Sequence, residues 1–159
     1  MTDEQRMVAD FHRRFGIKIG TVPGVPDEAT RVLRVKLIQE EFDELQEALA
    51  QADPAAVAKE LADLLYVVYG TALSCGIDME PVFREVHRSN LSKVGGYKRA
   101  NGKWVKPAGY SPARLQPILA AQTGIQADRG ASLVRAQPGG SPRESGCDHA
   151  WIEEKGEHS

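Results

Sequence analysis

The stretch Asp53-Pro54-Ala55-Ala56-Val57-Ala58-Lys59-Glu60-Leu61-Ala62-Asp63-Leu64-Leu65-Tyr66-Val67-Val68-Tyr69-Gly70-Thr71-Ala72-Leu73-Ser74-Cys75-Gly76 decides the fold. Asp53 is an N-cap residue, Pro54 suits the first helical position, and Gly76 offers the stop, so the run reads as one helix ending at Cys75. Between Leu61 and Leu73 apolar or small residues fall on nearly every side, the pattern of a helix surrounded by other helices. Glu60 and Asp63 are therefore expected to face inward. Bare carboxylates in a partly dry place need protonation or a cation of high charge density.

Upstream, Asp27 is the N-cap of a long helix reaching about Gln51, after a Gly/Pro-rich connection from Gly20 to Pro26. Val35, Ile38, Phe42, Leu45 and Leu49 form its apolar stripe, which is expected to be core, and Glu40, Glu41 and Glu44 fan out from the stripe's edge. Thr2 and Gln5 form a capping-box pattern opening a short first helix through Phe11 and Phe15 to Gly16. Asp78 caps a fourth helix whose stripe of Met79, Val82, Phe83 and Val86 continues into Asn90 and Lys93 before Gly95-Gly96. The basic loop from Tyr97 to Pro107, with Asn101-Gly102 at its tip, reads as a small hairpin. Ser111-Pro112 is the expected start of a last helix through about Ala121. These elements make an all-α domain over residues 1–120, with 121–159 expected from composition to be a disordered tail.

Composition narrows the function classes. The chain has 159 residues, 42% of them hydrophobic, and a net charge of -2, which suits one domain and disfavours a nucleic-acid polymer or an anionic membrane as partner. Cys75 in an apolar helix and Cys147 in a polar tail make a poor disulfide pair or zinc site, so a reducing, cytoplasmic setting is expected. The charged N-terminus has no signal-peptide core, and the apolar run of the third helix is too short to span a bilayer, which reads as a soluble protein.

Glu41 and Glu44 are three apart, as are Glu60 and Asp63, so each pair shares a helix face, and two such pairs on adjacent antiparallel helices can converge. Ligands that are all carboxylate suit Mg²⁺, with Mn²⁺ a substitute, and such a site handles phosphates. Glu40, just outside the pairs, is a candidate to take a proton from water. The opposing reading, a solvated acidic face, is stronger for Asp43 and Glu47 than for Glu60 and Asp63.

These residues resemble the all-α nucleoside triphosphate pyrophosphatase superfamily, the MazG-like, dimeric dUTPase and phosphoribosyl-ATP pyrophosphohydrolase group. The resemblance rests on Glu40-Glu41-Phe42-Asp43-Glu44 and Glu60-Leu61-Ala62-Asp63, with Phe11-His12, the segment His87 to Lys93, and Gly102 to Pro107 in addition. It implies a four-helix core completed by a second copy, as a homodimer or tetramer. It also implies Mg²⁺-dependent cleavage between the α and β phosphates of a nucleotide, giving a monophosphate and pyrophosphate. By the same resemblance Glu41, Glu44, Glu60 and Asp63 are the metal ligands, Glu40 activates or positions water, and Asn90 lies near the metal and phosphates, with Lys93 one turn on. Arg99, Lys103 and Lys106, with Lys98, could close over the phosphates or simply be loop cations. Phe11, Phe15 and Tyr66 could stack on a base or be core, His12 could donate to the base or be exposed, Trp104 could touch a lid, and Trp151 has no assignment.

Three functions follow. The leading one is hydrolysis of a nucleoside triphosphate in pool house-cleaning, with dUTP or another deoxy or non-standard nucleotide as substrate. The second is phosphoribosyl-ATP pyrophosphohydrolase activity in histidine biosynthesis. The third is a non-enzymatic helical dimerisation module that responds to no divalent cation.

Overall fold

The computed structural model describes residues 1–122 of the chain. The expectations for the tail beyond Gln122, with Cys147 and Trp151, lie outside the described residues. Five helices and one small hairpin follow in the order α1 (Asp3–Arg14), α2 (Glu28–Gln51), α3 (Pro54–Ser74), α4 (Met79–Leu91), β1 (Tyr97–Lys98), β2 (Trp104–Val105) and α5 (Leu115–Ala120).

The expected caps close the first four helices. Thr2 Oγ1 accepts from the Gln5 amide, Asp27 from Thr30, Asp53 from Ala55 and Asp78 from Glu80. Helix α2 ends at Ala52, whose φ of 56° is left-handed, and Asp53 immediately caps α3. This two-residue turn folds α2 back along α3. Helix α1 also packs on α3, where Val8, Ala9 and Leu73 form the fully buried core with Met1, Ile19 and Tyr69 against it, and it meets α2 over Gly70.

The chain turns by 112° between α3 and α4. Gln5, wholly buried, pins that turn: its Nε2 donates to the Ile77 carbonyl at 2.7 Å and its Oε1 accepts from the Met79 amide at 3.0 Å. Gly76 sits there at φ +66°, and a Cβ on it would stand 2.3 Å from the Val22 carbonyl oxygen, so the incoming α1–α2 connection leaves room only for glycine. No single helix among the described residues is long and apolar enough to cross a membrane.

Two expectations change. Helix α5 begins at Leu115 rather than at Ser111-Pro112, because the Ser111 hydroxyl accepts from Arg88 and its amide donates to Ser92 Oγ, leaving it tied to α4 rather than capping a helix. The stripe of α2 is also turned differently. The buried face is Arg34, Glu41, Leu45 and Ala48, whereas Val35, Phe42 and Leu49 are 68%, 46% and 58% exposed in the single chain. Helix α3 covers only one side of α2, and most of the apolar stripe lies on the other.

Candidate metal centre

The buried face of α2 brings Glu41 opposite the part of α3 that carries Glu60 and Asp63. One carboxylate oxygen from each of the three lies within 4.8 Å of the others. Glu41 is 5% and Glu60 9% exposed, with Asp63 half-buried at the rim. Burial, then the charges of Glu44 and Asp63, push the Glu41 carboxyl above its ordinary range. Glu44, one turn along α2 and half-buried, thus contributes to the field of the cluster without being one of its three converging members.

The balance of charge is unfavourable. At an effective dielectric constant of about 20, two ionised carboxylates at such separations repel by about 3 kcal/mol. The cation at hand is Lys59, whose Nζ lies 2.8 Å from Asp63 and 3.1 Å from Glu60. Its side chain is 63% exposed, so water screens the pairing and much of the repulsion stays uncompensated. Glu41 receives none of those bonds, and its Oε2 is buried with no hydrogen-bond partner. An all-oxygen donor set with an orphaned buried lone pair fits a hard divalent cation such as Mg²⁺. Lys59 escapes an argument from acid spacing alone; its i, i+4 relation to Asp63 is the signal in the sequence that marks it.

Glu40 is about half exposed and points to Lys36 at 3.7 Å, outside the converging three. Asn90 and Lys93 are brought together at the end of α4, with Lys93 Nζ donating to Asn90 Oδ1 at 2.6 Å. The hairpin hangs from that point by the Trp104 indole, which donates to the Lys93 carbonyl at 2.9 Å. Lys98, Arg99 and Lys103 are exposed on it, and Lys106 lies 4.1 Å over the Tyr110 ring. Phe11, Phe15 and Tyr66 form a ring cluster, with centroids 4.3 Å apart for the two phenylalanines and 5.6 Å for Phe11 and Tyr66.

His12 is not an exposed donor. It is 2% exposed, its Nδ1 has no partner, and burial followed by the charge of Arg34 lowers its pKa to about 4, so the ring is neutral. Gly70 makes that packing possible, since a Cβ there would stand 3.1 Å from His12 Nε2 and 3.2 Å from Arg34 Nη1. Arg34 in turn donates from Nε to Ser74 Oγ at 3.0 Å.

No curated protein matches the chain. The family model for phosphoribosyl-ATP pyrophosphohydrolase matches residues 8–90, a span that starts in α1, takes in the whole α2–α3 hairpin with its converging acids, and ends on Asn90 of α4. Helices, turn and carboxylates thus fall inside one inherited unit, and the chain belongs to the phosphoribosyl-ATP pyrophosphohydrolase family of the MazG-like all-α pyrophosphatase superfamily, hydrolases of phosphoric anhydrides.

Proposed function

We propose that the protein is a Mg²⁺-dependent nucleoside triphosphate pyrophosphohydrolase that cuts between the α and β phosphates and releases a nucleoside monophosphate and pyrophosphate. The observation that carries this reading is the convergence of Glu41, Glu60 and Asp63 with a buried, unpartnered oxygen on Glu41. Glu41, Glu44, Glu60 and Asp63 would hold the ion. When bound, Mg²⁺ (or Mn²⁺) supplies charge neutralisation at the phosphoryl oxygens and a more acidic water. Glu40, free of the converging set, is the carboxylate available to accept that water's proton. Asn90, Lys93, Arg99, Lys103 and Lys106 supply hydrogen-bond donors for a polyphosphate, with lysine acting as a mobile point charge.

The substrate class favoured is a deoxy or non-standard nucleoside triphosphate, dUTP among them, with the Phe11 and Tyr66 rings at the base; His12, buried in the single chain, is not offered to it. The family match itself favours a second reading, phosphoribosyl-ATP as substrate. We further infer a homodimer or tetramer. Leu61, Leu65 and Val68 of α3 are 47%, 55% and 36% exposed, and with Val35 and Phe42 they leave an apolar surface that a second copy would cover.

The test is pyrophosphate release from a panel of ordinary, deoxy and damaged nucleoside triphosphates and phosphoribosyl-ATP, with Mg²⁺, Mn²⁺ or EDTA. Release abolished by EDTA, and reduced at least ~100-fold in Asp63→Ala without loss of helical content, is the expected result. Silence across the panel with both metals present returns the weight to a non-enzymatic dimerisation module.

A further inference from the structure

Lys59 stands one residue before Glu60 and one turn before Asp63, and its ammonium reaches both. The contacts run 3.1 and 3.2 Å to the two oxygens of Glu60 and 2.8 Å to Asp63. It thereby uses lone pairs on two of the three carboxylates that converge, while the third, Glu41, keeps a bare oxygen. A lysine head and a divalent cation are both compact positive charges that seek carboxylate oxygen. The arm that brings the ammonium there is solvent-exposed for most of its length, so it is free to swing once these bonds are released.

We propose that Lys59 is the resident counter-cation of this centre: its ammonium occupies Glu60 and Asp63 when no divalent ion is bound and has to leave them for one to bind. The inference rests on the metal-site reading above. Binding of the ion is then an exchange of one cation for another, and its apparent affinity carries the cost of freeing the lysine. The lysine stays charged throughout, so the exchange requires no proton transfer. Once released, the head lies at the rim of the centre on a four-carbon stem, in position to meet an anionic ligand.

The experiment is a titration of the EDTA-treated protein with Mg²⁺ and with Mn²⁺, without nucleotide, read by calorimetry and by thermal melting. Lys59→Met is compared with wild type and with Lys36→Met, which removes an exposed lysine paired with Glu40. The expected result is a half-saturating metal concentration about five- to tenfold lower in Lys59→Met and changed less than about twofold in Lys36→Met. In EDTA, Lys59→Met should melt below wild type, and saturating metal should close that gap. Equal shifts in the two variants would reduce Lys59 to general background charge and overturn the proposal, as would no shift in either. A wild-type protein that binds metal while Lys59→Met binds it identically sinks only the role of the lysine. Failure of both proteins to bind either ion sinks the metal centre as well.

Discussion

Arg34 and Glu41 lie seven residues apart on α2, which places them on one face two turns apart, and both are buried against α3. Their surroundings differ. Arg34 sits over Gly70, beside a neutral His12, and donates to the Ser74 hydroxyl, which itself donates to the Gly70 carbonyl at 3.1 Å. It is a charge held by a neutral hydroxyl dipole, with burial depressing its pKa and no carboxylate paired with it among the described residues. Glu41 sits among like charges, and its outer oxygen has no partner. One end of the helix face is a solved packing problem and the other an unsolved one, and it is the unsolved end that points to a ligand supplied from outside.

The sharpest way to break the contrast is at Glu41. Replacement by Gln keeps the shape and removes the charge that feels both burial and its neighbours. On the reading above, metal-dependent turnover should fall by about 10²-fold or more, while the metal-free protein becomes more stable, because a carboxyl held above its ordinary pKa opposes folding at neutral pH. Denaturant melts in EDTA, set beside pyrophosphate release in Mg²⁺, read the two effects separately, and a less stable metal-free E41Q would contradict the assignment.

At the other end, pH should act through His12. Its folded pKa of about 4 lies below the ordinary 6.5, so the stability it contributes is complete above 6.5 and is lost as pH falls from there toward 4. Allowing for solvent screening, the loss should be about 1–2 kcal/mol. The difference between wild type and His12→Gln, followed by denaturant unfolding from about pH 7 to about pH 4.5, isolates it from the carboxylates. A difference that does not vary with pH would mean that the ring titrates alike in the folded and unfolded chain, and would overturn the burial argument. The smallest effect should come from Ser74→Ala, which takes the acceptor from Arg34 and should cost about 1 kcal/mol while leaving the metal response unchanged. A changed metal midpoint in that variant would show that the two ends are coupled.

Much of this was legible in the sequence, and for a physical reason. Caps at Thr2, Asp27, Asp53 and Asp78 are local hydrogen bonds between residues two or three apart, so their pattern is written in adjacent letters. The convergence of Glu41 with Glu60 and Asp63 was legible because i, i+3 spacing and a short turn determine it. The rotation of α2 was not, since apolarity marks which face seeks cover but not whether the same chain supplies it. The partners of His12 and Arg34 were hidden for a related cause: Gly70 and Ser74 meet them only after α1, α2 and α3 have packed. The late start of α5 depended on Ser111 being taken by Arg88 and Ser92, again contacts between distant parts of the chain.

The turn at Ala52 and Asp53 carries a consequence for the order in which the protein assembles. The three converging carboxylates all belong to one helical hairpin, closed by two residues, so they meet through contacts of short sequence separation. The core around Val8 and Leu73 instead joins distant stretches of chain and carries the larger loop-closure entropy. On topology alone the acidic cluster is expected to form with the hairpin, so that its repulsion would be felt while the chain is still collapsing. A cation that bridged those acids would then act on the folding pathway too, as a nucleating ligand, before the rest of the fold had closed around it.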